Sequence, residues 1–412
     1  MKTYKRALSR LLPILVILGP GIISGSVDND AGGITTYSLA GAQFGLKLIW
    51  ILFLTTFCLD ITQAVGARMG LVTGKGLGAL IREKYAVKWA VFTMAVLLLA
   101  NVGVAASEFA GIASALQIFH VSKFISVPLF AIIVYLFVIK GSFKKLEQFF
   151  LLASAFYLVY IVSAVLAHPN WTEAVKSLVI PTLSFKKDFI ITAIAVIGTT
   201  ITPWGQFFIQ DYVVDKKLGK EDIHVERLDV FLGSWLTNFI AFFIMVACAA
   251  TIFIYGQTIN DAGDAAKALQ PLAGQFASLL FAFGFLNAGI FGAALVPVST
   301  SYVICNTLGF EHGLNFHFKE APQFYGIFAF IIFVGALLTI LPFIPLLTIL
   351  FWAQVINAIL LLPILVFVFL LSNDKKLLGK YCNGKIFNAV IIATFLIIAA
   401  STIAYIVSQF IG

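Results

Sequence analysis

The stretch SGSVDNDAGG (24–33) sets Asp28, Asn29 and Asp30 among glycines inside an otherwise apolar run. Further acids recur at Asp60, Glu108 and Asp211 in similarly apolar surroundings. A second segment, GTTITPWG (198–205), interrupts another apolar run with hydroxyls and a proline. Carboxylates, hydroxyls and unpaired carbonyls are hard oxygen donors, and the chemistry they suit is cation binding. Placing one ionised side chain at the centre of a bilayer costs at least about 2.5 kcal/mol, so acids without a Lys or Arg at their depth point to a bound cation or to protonation.

The elements that must carry these residues follow from composition. Of 412 residues, 61% are apolar and only 11% charged, and the mean hydropathy is +1.02. That exceeds what a soluble core absorbs and predicts an all-α integral membrane protein. A span needs about 20 apolar residues. Segments of that kind lie near 11–42, 47–70, 89–116, 122–140, 148–167, 188–214, 228–256, 274–306, 323–342, 345–372 and 387–410. Runs such as FTMAVLLLANVGVAA lack the short alternation of barrel strands. The first and sixth segments are the interrupted ones, five spans apart, as an inverted repeat of five plus five helices would give. Unwound backbone at membrane depth is tolerated where it lines a cavity, and its freed carbonyls become ligands. No polar stretch is long enough for a separate soluble domain, so 1–412 reads as one membrane domain.

Of the 27 Lys and Arg, an N-in arrangement places 21 in the cytoplasm and six outside, at Lys47, Lys123, Lys176, Lys186, Lys187 and Lys267. The asymmetry predicts a multi-pass protein of the cell membrane with its N-terminus cytoplasmic and its C-terminus outside. It also accounts for the net charge of +8 through anionic lipid, without nucleic acid. The start, MKTYKRALSRLLPILVILGPG, lacks a signal-peptide cleavage pattern and reads as the first membrane helix. Cys58, Cys248, Cys305 and Cys382 have no paired or metal-type spacing.

The stretch GPGIISGSVDNDAGGITTYSLAGAQFGLKLIW resembles the first-helix signature of the Nramp family of divalent-metal transporters, which runs Gly-Pro, then Asp-Pro-Gly-Asn, then Ala-Gly-Ala-x-x-Gly. Counting forward eleven from Gly19 and back ten from Ala40 both reach Asp30 as the motif aspartate. ARMGLVTGKGLGALIREKY, SEFAG and VIGTTITPWG resemble later family segments, so the similarity runs over most of the chain. The resemblance implies a LeuT-like fold, with inverted repeats over 1–170 and 180–372 and an extra helix at 387–410. It implies metal ligands at Asp30, at Gly33 where the motif has Asn, at the Thr199 carbonyl, and at Thr202 where the motif has a methionine thioether. Gln354 matches a glutamine that approaches the ion. Glu108 keeps the third-helix acid, Ala105 replaces an aspartate three residues earlier that serves proton transfer in the family, and Trp204 replaces a sixth-helix histidine.

A thioether favours soft ions, whereas a hydroxyl is hard; losing Met and Asn also vacates volume. Magnesium dehydrates reluctantly and binds through one or two carboxylates plus retained waters. A roomy oxygen site of Asp30, with Asp28 reaching the water shell, therefore suits partly hydrated Mg²⁺ imported by alternating access, with Mn²⁺ also accepted. A similar loss of the methionine marks the Nramp-related magnesium transporter branch. His120, His168, His224, His312 and His317 all fall in loops or at span ends, which argues against proton coupling. Gln206, Gln210 and Asp211 recur at helical spacing and read as the inner exit path, with a helix cap near the headgroups as the alternative for Asp211. Asp60 reads as a buried hydrogen-bonded group, and Asn101, Asn238 and Asn357 as donors between helices. The alternatives are a proton-coupled Mn²⁺/Fe²⁺ transporter of the usual Nramp type and, behind it, an organic-solute transporter on the same fold. No catalytic pair, resident cofactor or obligate protein partner is expected, and the partners are a divalent ion and the bilayer.

Overall fold

The computed structural model describes residues 29–140, 155–314 and 316–411. Asp28 and the Gly-Pro-Gly ahead of it lie outside the described residues. The described chain is helical throughout: α1 (Ala31–Phe44), α2 (Ile49–Thr73), α3 (Leu77–Tyr85), α4 (Val87–Gln117), α5 (Lys123–Lys140), α6 (Leu158–Leu166), α7 (Trp171–Val179), α8 (Lys187–Thr200), α9 (Pro203–Asp215), α10 (Ile223–Cys248), α11 (Ala277–Leu308), α12 (Pro322–Ile340), α13 (Leu346–Ser372) and α14 (Lys385–Ile411). Among the described residues nine helical spans are long and apolar enough to cross a membrane, α8 and α9 counting as one. The helices α1 and α6 belong to apolar segments that begin outside the described residues.

Backbone chemistry sets the break between α8 and α9. Pro203 has no N–H to donate, and its ring pushes the preceding residue out of the helical region. Ile201 (φ −118°, ψ 92°) and Thr202 (φ −93°, ψ 147°) are accordingly extended, and Pro203 restarts the chain at the first helical position. The helix α1 starts in the same way: Asp30 is extended (φ −66°, ψ −178°) and caps the helix it precedes. Each interrupted segment thus restarts with an oxygen-bearing N-cap side chain.

The broken α8–α9 span sits at the centre, with 89% of its apolar window buried, whereas the corresponding window of α14 is only 17% buried. Ile386, Leu396 and Ile403 on α14 are each more than half exposed and form a lipid-facing surface. Around the centre, α1 packs on α8, α10, α13 and α4, and α9 packs on α2 and α11. Gly198 allows α8 to approach α13 closely: a Cβ there would lie 2.7 Å from the Ala358 nitrogen and overlap the Gln354 carbonyl.

Side chains tie the loops to the elements beside them. Arg82 donates to the Thr307 carbonyl (3.0 Å), Gln210 to the Lys75 carbonyl (2.9 Å), and Lys84 pairs with Asp374. Lys123 donates to the Leu341 carbonyl (2.7 Å) and Trp50 to the Thr182 carbonyl (3.1 Å).

Candidate metal site

The Asp30 carboxyl is the centre of the site. It is buried, at 6% exposure, and its Oδ1 accepts the Gly33 amide at 2.6 Å, with the Gly32 amide also directed at it. Gly33 therefore contributes its backbone N–H to orient Asp30 and has no side chain to offer an ion. Glu108, fully buried on α4, comes up beside Asp30, and its Oε2 accepts the Ala31 amide at 3.4 Å. Glu108 fits because α11 presents Gly292 to it: a Cβ at that position would lie 2.6 Å from Glu108 Oε2.

Gln354 joins the two interruptions. Its side-chain amide lies against Gly32, where a Cβ would overlap it, while its backbone carbonyl faces Gly198 of α8. Its Oε1 accepts from Asn357 (3.1 Å), and its Nε2, fully buried, has no hydrogen-bond partner. Ser107 lies beside the same glycine, 2.6 Å from where the Gly32 Cβ would be, and its buried hydroxyl is also unpartnered. Ser107 was missed by sequence reasoning, although it immediately precedes Glu108 in SEFAG. Gln354 Nε2, Ser107 Oγ and Glu108 Oε1 are thus three buried polar atoms without protein partners near the start of α1.

The second interruption faces α1 through Tyr37, whose hydroxyl is 3.0 Å from Thr200 Oγ1. Thr199 lies in the last turn of α8, where carbonyls have no intrahelical N–H to accept from. Its hydroxyl, 1% exposed, is unpartnered. Thr202 Oγ1 accepts the Gly205 amide at 3.3 Å and stays buried. Trp204 is 2% exposed and begins a stack with Phe208 and Tyr212, successive ring centroids 5.1 Å apart. Gln206 donates a long bond to Thr62 (3.4 Å), and its Oε1 has no partner.

Other expectations are sharpened or corrected. Asp60 is paired by both guanidinium nitrogens of Arg227, the Nη2–Oδ2 bond at 2.6 Å, so a basic group does reach this acid from a span end. Asp211 is no headgroup-level cap: it is 4% exposed and its Oδ1 accepts from Asn306 on α11 at 2.6 Å. Asn101 bridges helices to Thr300 (2.6 Å) as expected. Asn238 and Asn357 do not bridge; they bond Ser234 and Gln354 on their own helices, since an amide three or four residues on reaches its own helix first. Asn29, which the sequence did not single out as a bridge, reaches α10 and bonds Thr237 Oγ1 at 2.7 Å. Ala105 sits in an apolar cluster with Val102 and Ile331.

The fold is a bundle of apolar helices around a broken central span. Over 97% of this chain and 88% of that chain, it superimposes with a TM-score of 0.78, at 18% identity, on a manganese transporter from Eremococcus coleocola in complex with an aromatic bis-isothiourea substituted compound. It superimposes with a TM-score of 0.54, at 15% identity, on Mhp1, a nucleobase-cation-symport-1 family transporter in a closed conformation, over 95% of this chain and 91% of that one. In sequence it is 27% identical over 326 residues to the divalent metal cation transporter MntH of Deinococcus radiodurans, covering 74% of this chain and 72% of that relative. The model of the natural resistance-associated macrophage protein-like family matches residues 21–408. The chain belongs to the Nramp family, whose members are transporters and not enzymes.

Proposed function

We propose that this protein carries divalent metal cations across the cell membrane by alternating access, with partly hydrated Mg²⁺ as its principal cargo, Mn²⁺ also accepted, and no coupling to protons. Family membership supports divalent-cation transport. The observation that carries the metal preference is that both restarting helices present hard oxygen caps, Asp30 and Thr202, with side-chain-less Gly33 between Asp30 and the body of α1. Asp30, Thr202, the Thr199 carbonyl and, on closure, the Gln354 amide would hold the ion or its water. Asp28 would reach the same water shell from the chain ahead of Asp30. Trp204, Gln206 and Asp211 would line the route to the cytoplasm, and the N-terminus would lie on that side. Uptake down the membrane potential gains a divalent ion about 4.6 kcal/mol per 100 mV, twice the value for one charge.

One observation favours the proton-coupled reading: Glu108 is buried beside Asp30, its Oε2 on the amide of the next residue, Ala31. Against that stands Ala105, three residues back on α4, in an apolar cluster with Val102 and Ile331. Calorimetric titration of the wild type and Asp30→Ala with Mg²⁺, Mn²⁺ and Ca²⁺ tests the site: binding that Asp30→Ala leaves intact refutes it. Acidification of the proteoliposome lumen during metal influx would refute uncoupled transport.

A further inference from the structure

A groove of about 430 Å³ runs between α2, α8 and α14. Trp50 and Leu54 of α2, Ile190 and Ala193 of α8, and Ile397 and Ala400 of α14 line it, and no charged side chain is among its described lining residues. The two threonines in its wall are already satisfied: Thr55 donates to the Leu52 carbonyl at 2.9 Å and Thr394 to the Val390 carbonyl at 2.8 Å. The groove therefore suits hydrocarbon and would desolvate a polar ligand without repaying it. It reaches from Trp50 to Cys58 on α2, from Phe189 to Ile201 on α8, and from Ala404 back to Thr394 on α14. At about 1.5 Å per residue these lengths are roughly 12, 18 and 15 Å. One leaflet contributes a similar depth, roughly 15 Å, to a hydrocarbon core of about 30 Å.

The two ends of the groove differ in charge. The loop ahead of α8 forms the mouth with Leu183, Ser184 and Phe185, and the Trp50 indole donates to the Thr182 carbonyl of that loop at 3.1 Å. A ring against apolar surface with its N–H on a loop carbonyl is how tryptophan sits where hydrocarbon meets headgroups. Lys186 and Lys187 follow directly in the chain. Phe44 meets Phe189 edge-on at 5.4 Å, which brings the segment carrying Lys47 to the same end. Three lysines thus stand at the mouth against one carboxylate, Asp188, and among the described residues none of the three is in an ion pair. At the opposite end Cys58, Ile201 and Thr394 bring no charge.

We infer that this groove holds one acyl chain of an anionic phospholipid, whose phosphate is taken by Lys186, Lys187 and Lys47. The apolar length sets the tail, and the lysine rim sets the sign of the headgroup. A second copy of this chain is disfavoured as occupant, because a two-fold contact through the same patch would set the two lysine rims against each other.

The test uses the full-length protein, stripped of lipid in detergent and titrated with phosphatidylglycerol or phosphatidylcholine carrying the same oleoyl chains, with bound lipids counted by native mass spectrometry. Wild type is expected to hold one phosphatidylglycerol about tenfold more tightly than phosphatidylcholine, the preference that unpaired lysines supply. Lys186→Gln combined with Lys187→Gln is expected to remove that preference and leave phosphatidylcholine binding as it was. Ala400→Phe, at an exposed position, fills the groove and is expected to weaken both lipids about tenfold. Ala393→Phe, exposed on the same helix but outside the groove, is expected to change neither. Equal affinity of wild type for the two lipids, or phosphatidylglycerol binding that Ala400→Phe leaves unchanged, overturns the proposal. So does a dimer in detergent that Ala400→Phe dissociates, which would give the groove to a second copy. The readout involves no metal, so failure of the central site leaves it untouched.

Discussion

Replacing Thr202 by methionine puts a soft donor where this chain has a hard one, and the structure sets what else changes. Thr202 caps α9 through the Gly205 amide at 3.3 Å, and loss of such a cap costs about 1 kcal/mol. The side chain is 4% exposed, so the longer methionine adds an overpacking cost of about 1–3 kcal/mol wherever the vacated volume is not filled by water. Thr202→Met should therefore lower thermal stability by an amount equivalent to about 2–4 kcal/mol, the sum of those two effects. It should at the same time raise the preference for Mn²⁺ over Mg²⁺ by tenfold or more, about 1.4 kcal/mol in relative binding. Thr202→Ser keeps both cap and hydroxyl and should change neither; Thr202→Val loses both without supplying sulfur and should weaken both ions together. The assay is competition of Mg²⁺ against Mn²⁺ uptake into proteoliposomes under an imposed potential, with thermal unfolding in detergent run in parallel. A folded Thr202→Met protein with an unchanged Mn²⁺/Mg²⁺ ratio would refute the assignment of selectivity to this residue.

Asp60→Asn leaves Arg227, itself 38% exposed, without its carboxylate, and chemical unfolding should show a loss of about 1–2 kcal/mol; Arg227→Lys should cost a similar amount, because an ammonium cannot make the two-nitrogen contact. Glu108→Gln preserves shape while removing an ionisable carboxyl, so voltage-driven Mg²⁺ flux should persist and lose whatever dependence on external pH the wild type shows; abolition of flux would mean the carboxyl is needed for transport. Gly198→Ala drives a methyl into the backbone of α13, and thermal unfolding should report a loss of about 1–3 kcal/mol, accompanied by slower uptake.

Both interruptions were legible in the residues because their causes are local. Thr202-Pro203 carries a cap and a proline at the first helical position, and Asp30 followed by glycines carries a cap before α1. The Asp60–Arg227 pair was not legible, since the partners stand 167 residues apart and nothing in either span's periodicity names the other. The burial of Asp211 against Asn306, the twin role of Gln354, and the room Gly292 leaves for Glu108 belong to the same kind: they depend on which helices pack side by side. Asn238 and Asn357 read as bridges because polar residues in spans often are, but an acceptor on their own helix was nearer, the Ser234 carbonyl for Asn238 and the Gln354 side chain for Asn357.

The most direct measurement is Mg²⁺ influx into proteoliposomes held at an inside-negative potential, with lumenal pH followed in the same vesicles, for wild type and Asp30→Ala. Wild type should show saturable influx that grows with the potential and leaves lumenal pH unchanged, and Asp30→Ala should show none. Influx of Mn²⁺ but not Mg²⁺, accompanied by lumenal acidification, or Mg²⁺ influx that survives Asp30→Ala, would contradict the central claim.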